Sequence, residues 1–164
     1  ELILSGFYPA GRYSHLISER AGGALRSPNL TLDMDFVQQN FGVMLGSGAV
    51  MVYNETTNPA VVAWRLAKFF AHESCGKCSP CREGSSWLVQ TMRRIMAKRG
   101  RMQDLETLTD LCKNIAGRTV CAFGDAEVSP IMSTLKHWRH EYVTLIHEAE
   151  AANLIRPESA GTRH

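Results

Sequence analysis

From Asn58 onward the apolar residues return every three or four positions, the period of a helix with one buried face. Pro59 to Glu73 puts Val62, Leu66, Phe69 and Phe70 on one stripe, with Asn58 placed to cap the helix and Pro59 suited to its first turn. Ser85 to Arg99 aligns Leu88, Met92, Ile95 and Met96, and Gly100 reads as its stop. Gln103 to Ala116 aligns Leu105, Leu108, Cys112 and Ile115 and ends at Gly117. The last helix is predicted to begin at the cap pair Ser129-Pro130, to carry Ile131, Leu135, Trp138, Tyr142 and Leu145, and to fade near Glu150. Four amphipathic helices with short links predict a four-helix bundle over residues 58–152, followed by a flexible tail over 153–164.

Residues 1–57 have a different texture. Gly6, Pro9, Gly11, Gly22-Gly23, Pro28, Gly42, Gly46 and Gly48 separate short apolar runs, which reads as strands and loops. Ala49-Val50-Met51-Val52-Tyr53 is the clearest strand, and Asp33 to Asn40 reads as a short helix. The fold class expected is therefore α+β, a small strand-bearing segment ahead of a helical bundle.

Composition narrows the function. With 164 residues, 45% hydrophobic and 21% charged, the chain can bury a core, holds one ordinary domain or two very small ones, and excludes a large multi-domain enzyme. No apolar run approaches a membrane span and no signal peptide is recognisable, so membrane contact is expected only through partners. The chain opens on Glu1 and runs straight into Leu2-Ile3-Leu4, which reads as part of a longer polypeptide. Net charge is +2, but residues 1–60 hold three Lys/Arg against five Asp/Glu and residues 61–164 fifteen against eleven. Arg93, Arg94, Lys98, Arg99 and Arg101 concentrate the positive charge. No aromatics interleave with them, so a solvated helix end is favoured over a nucleic-acid surface.

The chemistry lies in the thiols. Five cysteines are an odd number, and three of them fall within Cys75-Gly76-Lys77-Cys78-Ser79-Pro80-Cys81, which is no disulfide framework and points to a reducing, cytosol-like compartment. Cys121 stands in the loop between the third and fourth predicted helices, which in an up-and-down bundle lies at the same end as the 75–81 loop. Four thiolates suit a 4Fe–4S cluster or a structural zinc ion. Three cysteines two apart plus a distant fourth is the ferredoxin spacing, whereas zinc sites gather ligands two and two, so the cluster is favoured. Cys112 is the competing fourth ligand, but its place on an apolar stripe suits a small buried hydrophobe. Lys77 and Arg82 add positive charge beside the loop, which would raise a cluster's potential.

Other features carry less. Gly46-Ser47-Gly48 precedes a strand and lacks a third glycine, so it reads as a plain strand entry and not a phosphate turn. His72 adjoins the cysteine loop as a candidate ligand or proton carrier, while His137, His140 and His147, with Glu141 and Glu148, read as helix-surface residues. No dinucleotide fingerprint and no nucleophile with a base is present, so the segment reads as an electron carrier.

The stretches His72-Glu73-Ser74-Cys75-Gly76-Lys77-Cys78-Ser79-Pro80-Cys81-Arg82-Glu83-Gly84, Ile115-Ala116-Gly117-Arg118-Thr119-Val120-Cys121-Ala122-Phe123-Gly124-Asp125 and Leu135-Lys136-His137-Trp138-Arg139 resemble the NADH-binding flavoprotein subunit of respiratory complex I. Diaphorase subunits of NAD-reducing hydrogenases and NAD-dependent formate dehydrogenases are similar. The resemblance implies that Cys75, Cys78, Cys81 and Cys121 ligate one 4Fe–4S cluster and that residues 1–57, through Leu45 to Val52, are a ubiquitin-like β-grasp segment. It also implies FMN and NADH in an N-terminal domain outside these residues, so that this segment alone is not expected to oxidise NADH. The implied partners are an iron–sulfur electron-acceptor subunit and a small 2Fe–2S subunit. The implied location is the cytoplasm, on the inner membrane's cytoplasmic face through the complex.

Overall fold

A computed structural model describes Gly6–Phe7, Asp35, Val50–Met51 and residues 56–154. Strand β1 (Gly6–Phe7) pairs antiparallel with β2 (Val50–Met51), Gly6 opposite Met51 and Phe7 opposite Val50. The second strand lies inside the predicted Ala49–Tyr53 run. The rest of the β-grasp reading lies outside the described residues, as does the tail beyond Leu154. Of the helix placed at Asp33 to Asn40, Asp35 alone is described, and it is helical.

Five helices follow: α1 (Pro59–Glu73), α2 (Ser79–Met96), α3 (Met102–Ile115), α4 (Phe123–His137) and α5 (Arg139–Leu154). The first matches its predicted bounds because its signals are local. Asn58 Oδ1 accepts the Ala60 N–H at 2.8 Å and Pro59 opens the first turn.

Helix α2 begins six residues earlier than the apolar stripe indicates, at Ser79, so that Pro80 and Cys81 belong to its first turn. It also stops earlier than Gly100. Lys98 takes the left-handed conformation (φ 55°), with its N–H bonded to Ile95 O and the Arg99 N–H to Arg94 O. These two bonds form a Schellman turn, normally closed by glycine.

The largest correction concerns the last predicted helix, which is two helices. Pro130 lies inside α4 and not at its start, and the break falls at Trp138 (φ −130°, ψ 35°). Proline removes one N–H, yet Thr134 Oγ1 and Ser133 Oγ donate back to the Pro130 carbonyl at 2.7 and 3.2 Å. Tyr142 of α5 is wholly buried, and its hydroxyl meets Thr134 Oγ1 at 2.7 Å, fastening the two halves of the hairpin. The core joins Ala60, Ala63 and Ala67 of α1 to Leu88, Met92 and Ile95, then Leu105, Leu108 and Ile115, and Ile131, Tyr142 and Ile146. Gly84 allows α2 and α3 to close up, since a Cβ there would stand 2.6 Å from Ile115 Cδ1.

The alternation of helices sets up two ends. One carries the α1–α2 and α3–α4 links. At the other, Arg94 at the end of α2 makes a two-pronged pair with Asp104 of α3, 3.0 Å from Nε to Oδ2 and 2.5 Å from Nη2 to Oδ1, and Asn58 Nδ2 reaches Glu141 Oε2 at 3.1 Å.

Burial alone would push the Asp104 carboxyl up, but hydrogen bonds from Arg94 and the Arg101 N–H, with both guanidinium charges, outweigh it and hold the group below its ordinary value. A carboxylate depressed in the folded state stabilises above its unfolded pKa of about 3.9 and loses that contribution as pH falls through the folded value. Asp104→Ala is expected to lose about 2 kcal/mol at pH 7. Urea unfolding should show a constant gap between wild type and variant well above about pH 4, the unfolded carboxyl's range, and a gap that narrows as pH falls below it.

Candidate metal centre

The two links that share one end of the bundle are the two cysteine loops. In the first, the backbone leaves α1 at Ser74, which bonds back to Phe70 O, and turns through Gly76 in the left-handed conformation (φ 74°). Cys78 is the N-cap of α2 and Cys81 lies in its first turn, where free backbone N–H groups and the helix dipole favour negative charge. Arg82 Nη1 donates to Gly76 O at 2.9 Å, and its Nε pairs with Glu83. Arg82 therefore braces the loop as well as adding charge beside it.

The second loop turns at Gly117 (φ 67°), whose N–H donates to Asp125 Oδ1 at 2.8 Å. Thr119 Oγ1 donates to Cys121 O at 2.8 Å, and Gly124 leaves room for it, since a Cβ there would meet that oxygen at 2.5 Å. Cys121 thus stands just ahead of α4, at a second helix N-terminus. Phe70 and Phe123 pack edge to face at 5.5 Å, holding the start of α4 against the end of α1.

One contact joins the loops directly: the Val120 N–H donates to Cys78 Sγ at 3.5 Å, while the Val120 side chain is 91% exposed. Of the predicted ligands, Cys75 and Cys121 are exposed, Cys78 is half-buried and Cys81 is buried. Among the described residues no three Cys, His, Asp or Glu side chains stand close enough, as they lie, to hold a single metal ion. Cys112 is buried at 1% exposure in the α3 core, the surroundings its apolar stripe predicts. His72 pairs with Glu73 at 2.9 Å, with its side chain 84% exposed to solvent.

Two neighbours of the thiols are not legible from spacing. Ser74 Oγ lies 3.2 Å from Cys81 Sγ and accepts the Gly76 N–H at 3.4 Å. Glu127, 1% exposed, has Oε2 3.4 Å from the same sulfur. A helix starting at Ser129 leaves Glu127 in a loop. Four residues before Ile131, it is a carboxyl on the buried stripe, and that mismatch is the available signal.

Burial pushes the Cys81 thiol up, the Ser74 hydroxyl opposes this, and the charge and hydrogen bond of Glu127 and the charge of Cys75 add to it, giving about 11. Burial also pushes Glu127 up to about 7 against the opposing Cys81 hydrogen bond. Cys112 reaches about 12 through burial and then the Glu127 charge. Free Cys81 is thus a neutral thiol at pH 7, and binding iron or zinc there releases a proton. The set fits an anionic sulfur-ligated centre: four thiols on two loops, at the positive ends of two helices, with backbone and hydroxyl donors aimed at sulfur.

Residues 61–145 match the family described as the NADH-ubiquinone oxidoreductase-F iron-sulfur binding region, a span that includes both cysteine loops. The chain belongs to that family. It is 52% identical over 101 residues to the F subunit of the NADH-quinone oxidoreductase of Streptomyces coelicolor, covering 62% of this chain and 22% of that protein. To the F 2 subunit of the Rhizobium meliloti NADH-quinone oxidoreductase it is 48% identical over 120 residues, covering 73% of this chain and 28% of that one. Among solved structures, the NAD+-reducing NiFe-hydrogenase in its H2-reduced state matches with a TM-score of 0.61 and 28% identity, over 76% of this chain and 24% of that chain. The chain therefore spans about a quarter of the length of these relatives. The expected iron–sulfur cofactor class agrees with the family, and no helix among the described residues is long and apolar enough to cross a membrane.

Treating the metal-free chain with iodoacetamide at pH 7.5 should label Cys75 and Cys121 first and Cys81 and Cys112 at least tenfold more slowly, because the last two are buried and their thiolate fractions are small. Peptide mass spectrometry of timed samples reads the order.

Proposed function

We propose that the chain is the electron-transfer module of an NADH-oxidising flavoprotein subunit, with Cys75, Cys78, Cys81 and Cys121 holding one 4Fe–4S cluster. The observation that carries the reading is the Val120 N–H on Cys78 Sγ, which brings the Cys121 loop onto the 75–81 loop, within the family's iron–sulfur region. When bound, the cluster supplies one-electron chemistry. The chain's own residues supply four sulfur ligands, hydrogen bonds to sulfur from Val120 and Ser74, and helix N-termini that stabilise its negative charge.

In the longer protein, electrons would come from NADH by way of FMN, both bound outside this chain, and leave toward a partner iron–sulfur subunit, with a small 2Fe–2S subunit alongside. An NADH:quinone oxidoreductase in the cytoplasm, membrane-associated through its partners, is the favoured home, since the relatives from Streptomyces coelicolor and Rhizobium meliloti carry that name. A diaphorase subunit of an NAD-reducing hydrogenase is the second reading, favoured by the structural likeness. Residues 1–57 would be the β-grasp segment, 58–152 the cluster-binding bundle and 153–164 a tail.

Anaerobically purified protein should contain about four iron and four sulfide per chain and give an EPR signal after dithionite. One zinc without a signal would make the centre structural and sink the electron-transfer reading. Cys121→Ser should abolish the cluster, while Cys112→Ala should keep its iron and lose about 1–2 kcal/mol of stability. Iron loss in the Cys112 variant would overturn the ligand set.

A further inference from the structure

The basic run at the end of α2 reads from the sequence as a solvated helix end, and the fold shapes part of it into a cleft. Gln90, Arg93, Arg94 and Arg99 line an open cavity of about 480 Å³ at the end of the bundle away from the cysteine loops. That volume is within the range of small-ligand sites. The helix dipole accounts for Arg93 and Arg94 in a last turn, but not for Arg99, which stands beyond the helix. A left-handed turn at Lys98 brings Arg99 back, its N–H bonding to Arg94 O at 3.0 Å. The Lys98 N–H on Ile95 O and the Ala97 N–H on Arg93 O give these carbonyls backbone partners as well, so the guanidinium groups are not needed to cap them.

Two nearby carboxylates are already engaged. Asp104, its side chain 3% exposed, holds Arg94 Nε and Nη2, and Glu148 takes Lys98 Nζ at 3.3 Å. Among the described residues neither Arg93 nor Arg99 has a carboxylate in ion-pair reach. Asp104 offsets one of the three arginines, which leaves two positive charges around one cavity without an anion. They repel each other, and a bound anion reverses that repulsion.

We propose that this cleft binds a phosphate-bearing ligand, either free diphosphate or the phosphate tail of a nucleotide, with Arg93 and Arg99 as its two grips and Arg94 as a wall fixed in advance by Asp104. A guanidinium fork matches two phosphate oxygens at once, and two uncompensated charges suit a dianion better than the single charge of a peptide carboxylate. The concave shape favours a compact ion over an extended acidic segment. The Gln90 amide, whose Nε2 donates to Ser86 Oγ at 3.1 Å, has a second hydrogen to offer on the same wall. Binding here is independent of the cluster reading.

The test is isothermal titration calorimetry of the full chain with sodium pyrophosphate at low salt, without divalent cations. Binding is expected with a dissociation constant on the order of 1 mM or tighter. Combining Arg93→Ala with Arg99→Ala should weaken it by at least about tenfold. Lys113→Ala, which removes an exposed charge near the cysteine end of α3, should leave it within about twofold. Circular dichroism checks the fold of each variant, and should the double variant not fold, Arg93→Gln and Arg99→Gln are read singly. ADP titrated in parallel identifies the source of the phosphate: affinity equal to that of pyrophosphate assigns recognition to the phosphates alone, and tighter binding adds the nucleoside, each supporting the site. No binding of either probe, unchanged affinity in the double variant, or an equal loss in Lys113→Ala overturns the proposal. Hexaglutamate binding as tightly as pyrophosphate would make the cleft a dock for an acidic protein segment and overturns it too.

Discussion

Helices α2 and α4 must start at the same end of the bundle, because α1 and α3 both finish there. Everything the cysteines do follows from that. A helix start offers unpaired N–H groups and a partial positive charge, and two such starts face one small volume. Thiols introduced just there, at Cys78, Cys81 and Cys121, sit where a negative centre is most stabilised. The edge-to-face stack of Phe70 on Phe123 and the Val120 bond to Cys78 hold the two starts in register.

The opposite end is tied by bonds of its own. Arg94 and Asp104 clamp α2 to α3, Asn58 joins the start of α1 to α5, and Tyr142 on Thr134 closes α4 against α5. Between them lies a continuous core running from Ala60 to Ile146. The loops can then carry exposed thiols and two left-handed glycines without setting the fold's stability. The division resembles a rigid clamp with a fitted mouth.

How much of this is legible in the sequence depends on whether the signal is local. Helix α1 is placed to the residue, because Asn58 and Pro59 are short-range cues. The start of α2 escapes because its first turn carries Ser79, Pro80 and Cys81 and no apolar stripe, so periodicity has nothing to register there. Pro130 reads as a helix start because an interior proline is disfavoured in general. Only the surrounding packing, with Pro130 and Ile131 both buried, makes it tolerable. The two cysteine loops are visible from spacing, their shared end from the alternation of helices, and Cys112 lies in the core where its stripe puts it. Ser74 and Glu127 are not visible as a pair, since their meeting at Cys81 depends on three elements whose relative placement no local pattern encodes.

Pro130 has no N–H to offer the Ala126 carbonyl, so the hydrogen-bond ladder of α4 is interrupted near its middle. The turns before it carry Asp125 and Glu127, which reach the Cys121 loop and Cys81, while the turns after it carry Ile131 and Thr134, which are bound into the core and to Tyr142. Mechanically, α4 is two short rods joined by a compliant splice. The rod beside the thiol loop therefore lacks one of the ladder bonds that would tie it rigidly to the core-bound rod after it.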